Sequence, residues 1–245
     1  MWYHLFMKEQ RAPVDDPIFQ FGMKLVTYLK NYHRYEAHGL DHIPEKGAAM
    51  IAVSHSLATY DILLLAAEIY LRTGRYCIGL ADRRIFQTPG IAHFFSRLKA
   101  VMGTQEAGKN LLSRGNLVII SPGGMRESLR TSENKYEINW TGRMGFARLA
   151  IKSQVPVILA ACPAADDIFT LYENPITSKI YQNYKWPLPL FRGWGPSFLP
   201  RPVKLTHFVS QPYFSPKLEK GEVNEADVES FHRHLVSEMQ RMLKK

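Results

Sequence analysis

Short apolar runs separated by helical patterns constrain this chain more than any other feature of its sequence. Ala48 to Ser54, Cys77 to Asp82, Leu117 to Ser121 and Val155 to Ala161 are each of strand length and bounded by polar or turn residues. Around them, residues 62–73, 90–98, 105–114 and 143–153 space their apolar side chains as helices do. Strands alternating with helices predict an α/β fold whose mixed, largely parallel sheet is flanked by helices, because runs this apolar need cover on both faces. A further strand is expected at about Val203 to Gln211. A closing helix follows, capped by Asn224, with Val228, Phe231, Leu235, Met239 and Met242 on one face and Lys244 and Lys245 favouring the negative end of the helix dipole.

Two segments stand outside this alternation. In residues 17–35, Ile18, Phe21, Leu25, Tyr28, Leu29 and Tyr32 recur at intervals of three and four, with Lys24, Lys30 and Arg34 mostly off the stripe. This predicts an amphipathic helix, which either packs on the core or lies as an aromatic, basic helix in a membrane interface. From Trp186 to Pro202, repeated Pro and Gly argue against regular structure, yet the Trp, Phe and Leu content demands cover. No composition shift divides the chain, so residues 1–38 are taken as an N-terminal amphipathic helical segment and 39–245 as the main part of a single domain.

The 31 Lys and Arg against 22 Asp and Glu leave a net charge of +9, favouring a negatively charged partner: nucleic acid, anionic lipid head groups, or a phosphorylated cofactor such as coenzyme A. Nucleic acid is not expected, since there is neither a long basic cluster nor a zinc-finger spacing. Cys77 and Cys162 both sit in apolar runs and are expected as reduced core residues. The N-terminus lacks the charged and apolar regions of a signal peptide, and no run is long enough to span a bilayer. A soluble or peripheral protein is expected.

Chemistry concentrates at two strand ends. His55 follows the first apolar run and Asp61 opens the next helix, placing both at the carboxyl end of a strand, where open α/β sheets bind ligands. A carboxylate there can take the proton of one imidazole nitrogen and leave the other free to accept a substrate proton. Alone the pair is weak evidence, since Asp61 also suits a helix N-cap and His55 a satisfied core position. After the third run comes Pro122-Gly123-Gly124-Met125-Arg126-Glu127. Consecutive glycines let backbone amides approach an anion or acyl carbonyl, and Arg126 offers a donor fork suited to phosphate, though a tight βα turn accounts for the glycines equally well. The serine-hydrolase elbow and the His-Glu-x-x-His zinc pattern are absent from the sequence, as is a nucleotide phosphate loop complete to its closing Ser or Thr.

Taken in order, these residues resemble the lysophospholipid or glycerolipid acyltransferase superfamily. His55 with Asp61 is similar to its first block; Ala81-Asp82-Arg83-Arg84 with Phe86 and Pro89-Gly90 to its second; Ser121 to Glu127 to its third; and Val155-Pro156-Val157 to its fourth. The resemblance covers about residues 40–215. Two departures matter. Five residues separate His55 from Asp61 where four are usual, and Gly123 and Met125 replace the Glu and Thr of Pro-Glu-Gly-Thr-Arg. Both resemble the branch containing diacylglycerol acyltransferases and related transmembrane acyltransferases, as does Ile138 to Ala147, and that branch favours neutral acceptors. Its membrane-spanning segments are not seen in this sequence.

The resemblance implies a glycerolipid acyltransferase-like fold in which His55 is general base, Asp61 its partner, and the backbone amides near Gly123 and Gly124 the donors to the developing oxyanion. Arg126 and Arg143 would hold phosphates, with Glu127 beside them. Arg83 and Arg84 are further candidates, set against the ordinary solvated role of exposed basic residues. Acyl-CoA or an acyl carrier protein is the implied donor and a lipid hydroxyl the acceptor, with no cofactor, no metal and no nucleic acid. Peripheral attachment to the cytoplasmic face of a membrane follows. Competing readings are a lysophosphatidic acid or lysophospholipid acyltransferase of the usual phosphate type, a non-catalytic lipid-binding protein, and thioesterase-like hydrolysis.

Overall fold

Strands form where the apolar runs predicted them, and alternate residues separate to two different cores. A computed structural model describes residues 11–87, 89–173, 189–218 and 222–244. Its strands are β1 (Glu36–His38), β2 (Ala49–Val53), β3 (Cys77–Ala81), β4 (Val101–Met102), β5 (Leu117–Ile120), β6 (Val157–Ala161), β7 (Thr170–Tyr172), β8 (Leu190–Arg192) and β9 (Thr206–Val209). Described helices are α1 (Pro17–Tyr32), α2 (Tyr60–Thr73), α3 (Arg83–Gln87), α4 (Pro89–Arg97), α5 (Gln105–Ser113), α6 (Gly124–Ser128), α7 (Gly145–Ser153) and α8 (Glu225–Leu243).

Seven strands form one sheet in the order β1-β9-β6-β2-β5-β3-β4, while β7 and β8 make a separate antiparallel ribbon. Every neighbouring pair in the large sheet is parallel except β6 with β9. The central strands β2 and β6 are buried along their whole length, as the unbroken apolar runs require. Met50 and Ala52 face a core built with Leu111 of α5, Phe146 and Leu149 of α7, and Leu235 and Met239 of α8. Ala49, Ile51 and Val53 face the opposite side, against Leu65 and Ile69 of α2. The period of two along one strand thus sorts side chains into two helix layers.

Several expectations need correction. The helix expected over 17–35 ends at Tyr32, with Asp16 capping it through the Ile18 amide at 2.8 Å and Pro17 at its start. Its core-facing residues are Phe19 and Val26, with Met23 and Leu29 beside them, whereas Phe21, Leu25 and Tyr28 of the expected stripe are exposed. The helix carries apolar residues on two sides, and the expected stripe mixes them: Leu29 packs on the core while Phe21, Leu25 and Tyr28 face out. The long expected strand at 203–211 contracts to Thr206–Val209, and α2 begins at Tyr60. Residues 186–188 of the Trp186 to Pro202 segment lie outside the described residues. The rest contains β8, so it is partly regular, and Trp194, Phe198 and Leu199 are left uncovered.

Candidate active site

Three of the four sequence blocks lie at the carboxyl ends of parallel strands: the His55 turn after β2, Asp82 to Gln87 after β3, and Ser121 to Glu127 after β5. β2, β5 and β3 are adjacent, so these turns share one rim of the sheet, the outer two separated by about 9–10 Å. Arg143 joins them, because it precedes α7, which runs from that rim back to the start of β6. Val155-Pro156-Val157 lies at the opposite rim, where the Pro156 carbonyl accepts from the Met50 amide at 3.0 Å. The fourth block therefore fixes strand register, far from His55.

The five-residue turn between His55 and Asp61 holds strained backbone. Thr59 is β-branched yet has φ +57°, and directly precedes α2 with no side-chain cap bond of its own. Asp61 is consequently inside the first turn of the helix, where its side chain is fully buried.

His55 is half-buried, and its Nδ1 lies 3.0 Å from the Ser56 carbonyl oxygen. A carbonyl oxygen only accepts, so Nδ1 carries the proton and Nε2 holds the lone pair. Burial lowers the imidazole to about 4, opposed by that carbonyl and reinforced by the charge of Arg130. His55 is a neutral ring with its acceptor nitrogen turned away from the backbone. The direct contact with Asp61 that the spacing suggested is replaced, among the described hydrogen bonds, by a connection through Ser56, whose hydroxyl donates to Asp61 Oδ1 at 3.4 Å. Burial raises the Asp61 carboxyl to about 7.

Glu127, expected beside the substrate, is instead completely buried. The Trp140 indole donates to its Oε2 at 2.9 Å, and Arg130 Nη1 lies 3.6 Å from its Oε1. Burial raises this carboxyl to about 7, while the indole, Arg130 and the His55 backbone amide act in the other direction. Glu127 thus ties the third block to the first from beneath. Its position explains the glycine that departs from the usual Glu: a Cβ on Gly123 would fall 2.1 Å from Glu127 Oε2 and 2.5 Å from its Cβ. Gly124 adopts φ +54°, and its amide donates to the Ser121 carbonyl at 3.0 Å. That amide is committed to the turn and is not free to serve an oxyanion. None of the described hydrogen bonds uses the Gly123 amide.

Arg83, Arg126 and Arg143 are exposed and Arg84 is half-buried; among the described residues none of the four pairs with a carboxylate. Sequence reasoning missed Arg130. It stands three residues after Glu127, a spacing that signals an ion pair, and it bonds both Asp166 oxygens at 2.7 Å and the Glu137 carbonyl at 2.7 Å. A shallow pocket is lined by Leu57, two residues after His55, and by Ser128, Arg130, Ala165, Phe169 and Leu171; His55 itself is not in its lining. Also missed were Trp140 and a buried group in which ligating atoms of Asp61, Cys162 and His207 all lie within 4.8 Å of one another.

One rim of this largely parallel α/β sheet thus carries a neutral imidazole with an acceptor nitrogen and four arginines that pair with no carboxylate among the described residues, at the strand ends where open α/β sheets bind ligands. The family model described as Acyltransferase matches residues 34–162, and the chain belongs to that family. The chain is similar to the DGAT1/2-independent enzyme synthesizing storage lipids of Bos taurus, at 33% identity over 197 residues, 79% of this chain and 57% of the relative. For the same-named enzyme of Gallus gallus the identity is 36% over 182 residues, 74% of this chain and 52% of the relative. The chain thus spans little more than half the length of these relatives. Among solved structures, the 1-acyl-sn-glycerophosphate (LPA) acyltransferase PlsC from Thermotoga maritima aligns with a TM-score of 0.55 at 16% identity, over 93% of this chain and 78% of that one. The likeness confirms the α/β architecture.

Proposed function

We propose that this chain transfers a fatty acyl group from a thioester, acyl-CoA or acyl carrier protein, to a hydroxyl of a glycerolipid or other lipid acceptor. The observation that carries this reading is the His55 ring, whose Nδ1–H is held by a backbone carbonyl and whose Nε2 is free to accept. Nε2 takes the hydroxyl proton as the oxygen attacks the thioester carbon; the C–S bond then breaks and the proton passes to the departing thiolate. The Gly123 amide is the better remaining donor for the oxyanion, Gly124 being engaged. Arg126, Arg143, Arg83 and Arg84 supply charge for the phosphates of coenzyme A or the acceptor.

A neutral acceptor is favoured by the Gly123 substitution and by relatives named for storage-lipid synthesis. A lysophosphatidic acid acceptor is favoured by the four arginines on the same rim that pair with no carboxylate among the described residues, more than a single pyrophosphate requires. Membrane contact is supported by the exposed Phe21, Leu25 and Tyr28 of α1 and by Trp194, Phe198 and Leu199, the two groups joined where the Tyr32 hydroxyl donates to the Pro200 carbonyl at 2.6 Å. No described helix is long and apolar enough to cross a membrane.

Radiolabelled acyl-CoA offered with diacylglycerol or with lysophosphatidic acid separates the acceptor readings by which lipid becomes labelled. His55→Ala should lower turnover by about 10² to 10⁴ with either lipid. Full acyl transfer by a folded His55→Ala protein would remove the general-base assignment.

A further inference from the structure

Behind His55 runs a line of buried polar side chains that a lone general base does not need. Asp61 Oδ2 is buried with no hydrogen-bond partner among the described residues. Facing it at 3.9 Å is Nε2 of His207, a residue of β9 that points into the core beside Val209 and is 1% exposed. On its other side, His207 Nδ1 lies 3.1 Å from the hydroxyl of Tyr35, in the segment leading into β1. The remaining groups facing Asp61 are the Cys162 thiol after β6, the Ser56 hydroxyl, the Tyr60 phenol, and the charge of Asp166, which Arg130 pairs.

A phenol against an imidazole nitrogen admits two arrangements. If Tyr35 donates, Nδ1 accepts and an Nε2–H faces Asp61 Oδ2. If Tyr35 accepts, the Nε2 lone pair faces the carboxyl oxygen, an arrangement stable only with Asp61 protonated. The Tyr35 hydroxyl has no acceptor other than Nδ1 among the described hydrogen bonds, so its proton is directed there and the first arrangement follows. The separation of 3.9 Å exceeds a hydrogen bond, but in a buried setting an N–H dipole aimed at a carboxylate still interacts strongly.

We propose that His207, held by Tyr35, is a positioning residue whose Nε2–H keeps the Asp61 carboxylate charged and turned toward Ser56, and thereby fixes the peptide that orients His55. Burial supports the neutral ring this requires, lowering His207 to about 3. The inference rests on His55 acting as base, but part of its test does not depend on activity.

The test uses the full chain. Imidazole ¹⁵N shifts of the wild-type protein should show His207 neutral with the proton on Nε2 between about pH 8 and 9, where the Asp61 carboxyl is charged; an Nδ1–H or doubly protonated ring there would overturn the proposal. In kinetics, His207→Leu should lower kcat about tenfold or more, leave KM for acyl-CoA and for the acceptor unchanged, and move the acid limb of kcat/KM to higher pH. His207→Gln, which returns an N–H donor near the Nε2 position, should restore most of kcat and the original limb. Equal loss in both folded variants with an unmoved limb would overturn the proposal in favour of a packing role, as would wild-type behaviour of His207→Leu. Should His207→Leu not fold, Tyr35→Phe decides: without the phenol's donation the Nδ1–H tautomer should appear as Asp61 takes up its proton below about pH 7, and a ring that stays Nε2–H there would count against the assignment. Stoichiometric zinc in the purified protein, bound by Asp61, Cys162 and His207, would also overturn it. An active His55→Ala protein with the expected His207 tautomer would overturn the general-base reading and leave the His207–Asp61 geometry standing.

Discussion

Gly123 and Gly124 sit side by side and are required for unrelated reasons. At Gly123 the constraint is space: a methyl group would strike the buried Glu127, which Trp140 and Arg130 hold in place. Gly123→Ala should therefore cost about 1–3 kcal/mol and disturb the His55 turn as well. At Gly124 there is open space but φ is +54°, so Gly124→Ala should cost about 1–2 kcal/mol through backbone strain and leave Glu127 in place. Denaturant midpoints measure both costs, and Trp140 fluorescence should report the Glu127 displacement in the first variant alone. Protonation gives a second prediction at this scale. Asp61 stands at about 7 in the folded chain against an ordinary 3.8, so the folded state binds the proton more tightly. The resulting stabilisation is complete below 3.8 and is lost as pH rises to about 7. Asp61→Asn escapes this loss, so its stability relative to wild type should climb between about pH 4 and 7 by up to about 1.4 kcal/mol per pH unit and then level off. His55, at about 4, contributes with the opposite sign below 6.5, and that contribution cancels in the comparison of the two proteins. For activity, kcat/KM should rise along a limb near pH 7 set by the Asp61 carboxyl, with His55 already neutral there.

The elements legible in the sequence are those whose burial is complete. β2, β5 and β6 were readable because strands covered on both faces leave unbroken apolar runs. β1 has the polar sequence Glu36-Ala37-His38, β4 has two residues, and β7 and β8 form a short ribbon away from the main sheet; none buries enough to leave a pattern. The same logic divides the site. His55 and Gly123 were visible because strand ends and glycine turns are local signals. His207 was not, because its role depends on β9 lying antiparallel to β6 and on Tyr35 arriving from 172 residues earlier, contacts that no spacing in the sequence encodes. The closing helix shows how far burial predicts energetics. Val228, Leu235 and Met239 of α8 are wholly buried against the face of the sheet that carries Met50 and Ala52. Leu235→Ala should cost about 2–5 kcal/mol and lower the thermal midpoint, while the His55 turn, at the strand ends and outside that cluster, should leave turnover intact at temperatures where the variant is folded.

At the scale of the whole molecule, His55, the glycine turn and the candidate arginines all gather on one rim, while the fourth block and the strand starts occupy the other. The exposed apolar residues of α1 and of the Trp194 to Leu199 turn form a second functional surface in the proposed reading. Trp194→Ser with Phe198→Ser should reduce sedimentation with lipid vesicles several-fold and leave folding intact, since both side chains are already in solvent. The backbone there is set without them: the Trp194 amide donates to the Leu199 carbonyl at 2.8 Å, and Gly193 tolerates no Cβ beside that same carbonyl. A turn closed by its own backbone hydrogen bonds, with its apolar side chains already outside, need not reorganise to land on lipid. Once it has landed, the acceptor is met by lateral diffusion in a plane, and the rate should follow the mole fraction of acceptor in the bilayer. Diluting that acceptor with inert phospholipid at constant bulk concentration should therefore slow the wild-type enzyme, and the Trp194→Ser, Phe198→Ser protein should lose that dependence together with its binding.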